Sequence, residues 1–190
     1  MSTVDMPTSL APISAPELLV AIDEDVRAAS LRYFASMGAD ISRSIEAAVG
    51  SPIPDALKAT RVRTDGRLGT SIFAWLSPTE TLLLSTDDLR FDQIAACITV
   101  AGGYFVDQTD GFAVLKVTGK RTEDLLLRVG LSDSFPDIGE AKRSRMADVS
   151  VLALRTCSEV TLLVVNRTYT EHLMNWIRVS VLDFDRLGTL

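Results

Sequence analysis

Three observations predict an α+β fold for this 190-residue chain. β-rich runs come in pairs around turn residues, each pair is followed by a segment of helical apolar spacing, and glycines close those segments. A hairpin has one apolar face to cover, and the helix after it is the nearest cover. The expectation is therefore repeated β-hairpin–helix units, with antiparallel sheet and helices packed on one face.

Residues 1–16 are rich in Ser, Thr, Pro and Ala without sustained periodicity, which predicts a flexible or extended arm that a partner could order. Residues 17–190 form a single domain in this reading. "AASLRYF" (28–34) suits a short strand. "DISRSIEAAVG" starts on an Asp or Ser cap and stops at Gly50, so a short helix follows. Two prolines and two glycines make 51–69 a long irregular connection.

The first full unit pairs the two arms of "SIFAWLSPTETLLLS", with Pro78 and Thr79 in the turn and Trp75 and the leucines in the core. A helix follows, with Leu89, Ile94, Ala95 and Ile98 on its apolar face and a Gly pair as its stop. In the second unit, "YFVDQTDGFAVLKVTG" folds back at Asp110-Gly111. Its helix, "RTEDLLLRVG", has Thr122 as N-cap, Glu123 and Asp124 in the first turn and Gly130 at its end. The third unit alternates Val149, Val151, Ala153 against Val160, Leu162, Val164 about 156–158. Its helix carries Leu173, Trp176, Ile177 and Ser180 on one stripe.

Hydrophobic residues at 47% and charged residues at 23% are those of a folding globular chain. A formal charge of −6 argues against nucleic acid as a partner, because phosphate binding needs clustered cations. The basic run "KRSR" (142–145), flanked by Asp137, Glu140 and Asp148, reads as the solvated start of a strand or a protein contact. No apolar run reaches the roughly 20 residues needed to span a bilayer, and the N-terminus lacks a signal-peptide pattern; no membrane association and a cytoplasmic location are expected.

Chemistry is scarce. The single histidine, His172, lies between Glu171 and Leu173 in the last helix and reads as structural. Cys97 and Cys157 are far apart without metal-ligand spacing and read as reduced, buried thiols. "TVAGGYFVD" fails the dinucleotide fingerprint, and "VTGKRT" lacks the first glycine of a phosphate loop. The residues alone predict no catalytic residue, no cofactor-binding residue and no metal site. That profile fits a subunit, scaffold or binding module.

The order of segments resembles the gamma subunit of heterotetrameric sarcosine oxidase, within the aminomethyltransferase, folate-binding-like superfamily. "WLSPTETLLLS" is similar to that family's hairpin at Trp75, Leu76, Pro78, Glu80 and Leu82 to Leu84. "FVDQTDGFAVLKVTGKRTEDLLLRVG" is similar at Val106, Asp107, Leu115, Gly119, Leu125 and Leu126. "SRMADVSVLALR", then "TLLVVNRTYTEHLMNWI" with Arg167, resembles the family's ending. Departures fall at Thr109-Asp110-Gly111, where relatives often have Ser-His-Arg, and at Thr81, where they have a second Trp. "LSDSFPDIGE" lacks a His that relatives often carry.

The resemblance implies an aminomethyltransferase-like fold and a non-catalytic gamma subunit of a flavoenzyme complex that oxidatively demethylates sarcosine to glycine. The one-carbon unit would pass to tetrahydrofolate or leave as formaldehyde. It implies FAD, FMN, NAD and tetrahydrofolate on other subunits, none bound by this chain. Alpha is the implied main contact, with beta and delta completing the oxidase. Two alternatives stand beside it: the equivalent subunit of a related N-methyl amino acid dehydrogenase, such as one acting on N-methylglutamate, and a free-standing folate-binding protein. In the last, Glu80, Asp107 or Asp110 would meet the pterin; their bland reading is turn and strand-edge residues.

Overall fold

Consecutive apolar residues, more than alternating ones, decide this architecture. Leu82, Leu83 and Leu84 are all buried, as are 113–115, 151–154 and 162–165. Successive side chains on a strand point to opposite faces, so such runs need a sheet covered on both sides. The computed structural model describes residues 10–62, 69–130 and 135–187, with the backbone alone at Thr156 and 183–187.

Eleven strands are described: β1 Ile13–Ala15, β2 Leu18–Ile22, β3 Arg27–Arg32, β4 Ala59–Val62, β5 Ser71–Ser77, β6 Glu80–Ser85, β7 Tyr104–Asp107, β8 Phe112–Thr118, β9 Glu140–Met146, β10 Val149–Cys157 and β11 Val160–Asn166. The helices are α1 Gly38–Val49, α2 Asp88–Val100, α3 Thr122–Arg128 and α4 Thr170–Leu187. The strands form two antiparallel sheets, one ordered β4-β5-β6-β3-β7 and the other β1-β2-β8-β11-β10-β9.

Three apolar clusters define four layers. Ile41, Ile45, Phe91, Ile94 and Ile98 of α1 and α2 pack with Leu31, Phe73 and Leu83 on the outer face of the five-stranded sheet. Leu82, Leu84, Val114, Leu154 and Val164 fill the space between the sheets. Leu125, Leu126, Leu173, Met174 and Ile177 of α3 and α4 cover the six-stranded sheet with Leu115, Val151 and Leu163. The α+β class and antiparallel pairing hold. The single helix-covered layer expected from the sequence is instead two sheets face to face, with helices outside both.

The first and third units close as hairpins, β5 on β6 and β10 on β11. The second does not. β7 pairs with β3 in one sheet, whereas β8 pairs with β11 and β2 in the other. The Asp110-Gly111 turn therefore carries the chain between sheets, and Gln108 N–H bonds the Ala28 carbonyl at 2.8 Å where β7 leaves.

Several local expectations also shift. Ile13–Ala15, within the segment expected as an arm, pairs with β2; residues 1–9 lie outside the described residues. β4 lies inside the connection expected to be irregular. Leu89 is 70% exposed, and the buried face of α2 runs through Phe91, Ile94 and Ile98 instead. Trp176, expected on the buried stripe of α4 with Ser180, is 52% exposed; Leu173, Met174 and Ile177 face the sheet. Trp75 is only half-buried. Thr122 is the first residue of α3, not its cap, and its hydroxyl donates to the Gly119 carbonyl at 2.7 Å. α1 begins at Gly38, ahead of Asp40, and Asp40 pairs with Arg43 in the first turn. Gly50 ends it with φ of 74°, a left-handed position where a side chain would be strained.

Candidate functional site

The polar side chains of the crossover between the sheets gather on two arginines. Arg27 opens β3, and its guanidinium reaches Asp88 at 3.2 Å, Asp92 at 3.4 Å and Asp107 at 3.2 Å while lying over the Phe91 ring, 3.8 Å from its centroid. Phe105 meets that ring edge-on at 5.0 Å. Burial opposes the charge on Arg27, but the bonds to Asp107 and Asp88 outweigh it and raise its pKa. Burial likewise pushes the Asp107 carboxyl up; hydrogen bonds from the Thr109 hydroxyl and amide, and from Arg27, overcome it and hold the group below its usual range.

Arg167, just after β11, grips the same crossover from the other sheet. Its Nε donates to the Asp110 carbonyl at 3.1 Å, its Nη2 to the Thr109 carbonyl at 3.0 Å, and its amide to the Gly111 carbonyl at 3.0 Å. The Asp107 carboxylate, the hydroxyl, amide and carbonyl of Thr109, and the carbonyls of Asp110 and Gly111 are thus committed to structure. Rigid positioning is what this cluster does.

The three carboxylates considered for a pterin do not converge. Glu80 bonds Arg32 Nε at 3.1 Å, at the far end of β3 from Asp107, which pairs at Ala29. Three residues of strand separate these positions, about 10 Å. Asp110 presents its carbonyl to Arg167. Each of these alternatives sits in a separate part of the fold, Glu80 held by Arg32 and Asp107 by Arg27 and Thr109.

The remaining candidates are also placed structurally. His172 is exposed and its Nε2 donates to the Ala147 carbonyl at 3.0 Å. The Cys97 thiol donates to the Ser44 carbonyl at 3.2 Å between α1 and α2, and burial pushes its pKa up, away from thiolate chemistry. Cys157 is partly exposed at the end of β10. Among the described residues no three His, Cys, Asp or Glu could hold a metal, and no helix is long and apolar enough to cross a membrane. Sequence reasoning missed Arg27 altogether; nothing in "EDVRAAS" signals that acids some 60 to 80 residues later will surround it.

α4 carries a stripe of exposed apolar residues, Trp176, Val179 and Leu182, each more than half exposed. Phe34 and Tyr104, at 65% and 61% exposure, stand beside the β7 edge of the five-stranded sheet.

No protein-family model and no curated protein sequence matches this chain. Solved structures do. A chain of the heterotetrameric sarcosine oxidase from Corynebacterium sp. U-96 superposes with a TM-score of 0.74 at 19% identity, covering 91% of this chain and 88% of that one. The glycine cleavage system aminomethyltransferase T from Bartonella henselae superposes with a TM-score of 0.62 at 9% identity, covering 83% of this chain and 44% of that one. At these identities the likeness is one of fold: this chain has the α+β fold shared by a sarcosine oxidase chain and part of an aminomethyltransferase.

Proposed function

We propose that this chain is the gamma-type subunit of a cytoplasmic, sarcosine-oxidase-type heterotetramer, in which it serves assembly rather than chemistry. The observation that carries the reading is the pair of coverages. The fold spans 88% of a sarcosine oxidase chain but only 44% of the aminomethyltransferase. The likeness thus takes in most of the sarcosine oxidase chain and under half of the aminomethyltransferase.

Physical features support it. The Asp107 and Glu80 carboxylates, the histidine and Cys97 are committed to hydrogen bonds within the fold. Exposed Trp176, Val179 and Leu182 offer apolar area that a partner would remove from water. In this reading the alpha subunit is the main contact, beta and delta complete the complex, and FAD, FMN, NAD and tetrahydrofolate reside on those other subunits. The complex oxidises an N-methyl amino acid, sarcosine first, while this chain holds the shape of the assembly.

Co-expression tests it. The chain should co-purify with flavoprotein alpha and beta subunits encoded beside it at equal stoichiometry, and should aggregate when made alone. A monodisperse, stable monomer that ignores those subunits refutes it. Complex formation with N-methylglutamate as the preferred substrate would instead select the dehydrogenase. Micromolar tetrahydrofolate binding by the isolated chain, read by calorimetry, would select a free-standing folate-binding protein.

A further inference from the structure

Two exposed cations stand at the mouth of the layer between the sheets, on strand positions whose register is that of inward-facing neighbours. Along β8, Ala113, Leu115 and Val117 face the helices, while Val114 faces the opposite sheet. Lys116 shares the side of Val114 and pairs in register with Leu162, a residue of the inter-sheet core. Arg61 occupies the corresponding place on β4, two residues after inward-facing Ala59 and opposite inward-facing Ile72. Both open onto one cleft of about 290 Å³ between the sheets, with Ile72, Leu84, Val160 and Leu162 among its walls. Arg61 Nη2 is steadied by the Thr70 hydroxyl at 2.9 Å. Neither cation forms a salt bridge among the described residues, although Arg27, Arg32, Lys58, Lys120, Lys142 and Arg145 all do. Asp23 is the acid in the lining, so two cations face one carboxylate.

We propose that this cleft is a binding site for a small monocarboxylate with a compact aliphatic body, its carboxylate met by Arg61 and Lys116. The volume lies at the lower end for ligand pockets, which selects a small molecule. Aliphatic walls with two cationic side chains call for an apolar body and one anionic head. Long basic side chains at a sheet margin can lift their heads to water, but that accounts only for their exposed tips. It does not account for a cleft left unfilled beneath them, lined by side chains that elsewhere in this layer pack closely. The site is independent of the assembly role proposed above.

Cys157 lines the same cleft and reports its occupancy. The test uses the full chain carrying Cys97→Ser, alone or in its complex, and cyclohexanecarboxylate as probe. Cyclohexanecarboxamide tests the charge, and acetate tests the body. The carboxylate should bind and slow alkylation of Cys157, with the amide and acetate each at least about ten-fold weaker. Lys116→Met and Arg61→Met should each weaken the carboxylate about ten-fold while leaving the amide's affinity and the unfolding midpoint unchanged. The proposal is overturned if the amide binds as well as the acid, if neither substitution changes carboxylate affinity, or if Cys157 reacts at the same rate at saturating probe.

Discussion

Replacing the three leucines of β6 one at a time tests the four-layer architecture directly. Leu82 and Leu84 are 1% and 2% exposed against the second sheet, and Leu83 is 0% exposed against α1 and α2. Leu→Ala removes three carbons, worth about 0.8 kcal/mol each in transfer. Incomplete collapse of the hole brings each substitution to about 3 kcal/mol. In a chain of this length that lowers the melting midpoint by roughly 6–12 °C. All three variants should show it, because β6 is flanked by β5 and β3 and both its faces are covered. Urea unfolding followed by far-UV circular dichroism gives the values. A cost below about 1 kcal/mol at Leu82 and Leu84, beside about 3 at Leu83, would mean the second sheet does not cover the first, and would refute the argument.

Arg27→Met removes the cation shared by three aspartates; with the side chain 32% exposed, a loss of about 1–2 kcal/mol is expected, smaller in 1 M salt, by the same unfolding assay at two ionic strengths. Gly119→Ala forces a Cβ to within 2.1 Å of the Glu17 carbonyl oxygen at φ of +114°, so a loss of about 3 kcal/mol or failure to accumulate folded protein is expected on expression and melting. Bonds from Lys142, the Asp137 amide and Lys58 hold the Glu140 carboxyl down at about 2, below its ordinary 4.5. A depressed folded pKa gives stability that is present above the unfolded value and lost as pH falls toward the folded one. Glu140→Gln should therefore lower stability at neutral pH and flatten its dependence between pH 4.5 and 2, seen in melting midpoints across that window.

The elements themselves were largely legible. Gly50 marks a real helix end, and the Pro78-Thr79 and β10–β11 turns close real hairpins. What misled was the use of each turn. Asp110-Gly111 has the chemistry of a hairpin, and local chemistry cannot state that the next strand's partners, β2 and β11, lie far off in sequence. The unbroken runs Leu82 to Leu84 and 162–165 did carry the missing layer, because a one-sided sheet would alternate. Helix phase failed for a different reason. α4 has apolar residues around most of its circumference, so periodicity cannot choose between Trp176 and Met174. In α2 the phase is fixed by Phe91, which Arg27 and Phe105 enclose through contacts no window of sequence contains. Arg61 and Lys116 were equally silent, since each looks like an ordinary outward-facing charge until register is known.

The placement of β2 beside β8 bears on the order in which the protein can be made. Leu18 and Val20 leave the ribosome well before the strand that shelters them, Phe112–Thr118. Throughout the synthesis of the five-stranded sheet, the opening hairpin must wait as an unsheltered apolar ribbon. No nascent chain ending before 118 can retain it. Strands β3 to β7 can close early as a unit, whereas the second sheet is completed only when β9, β10 and β11 join β8 and β2.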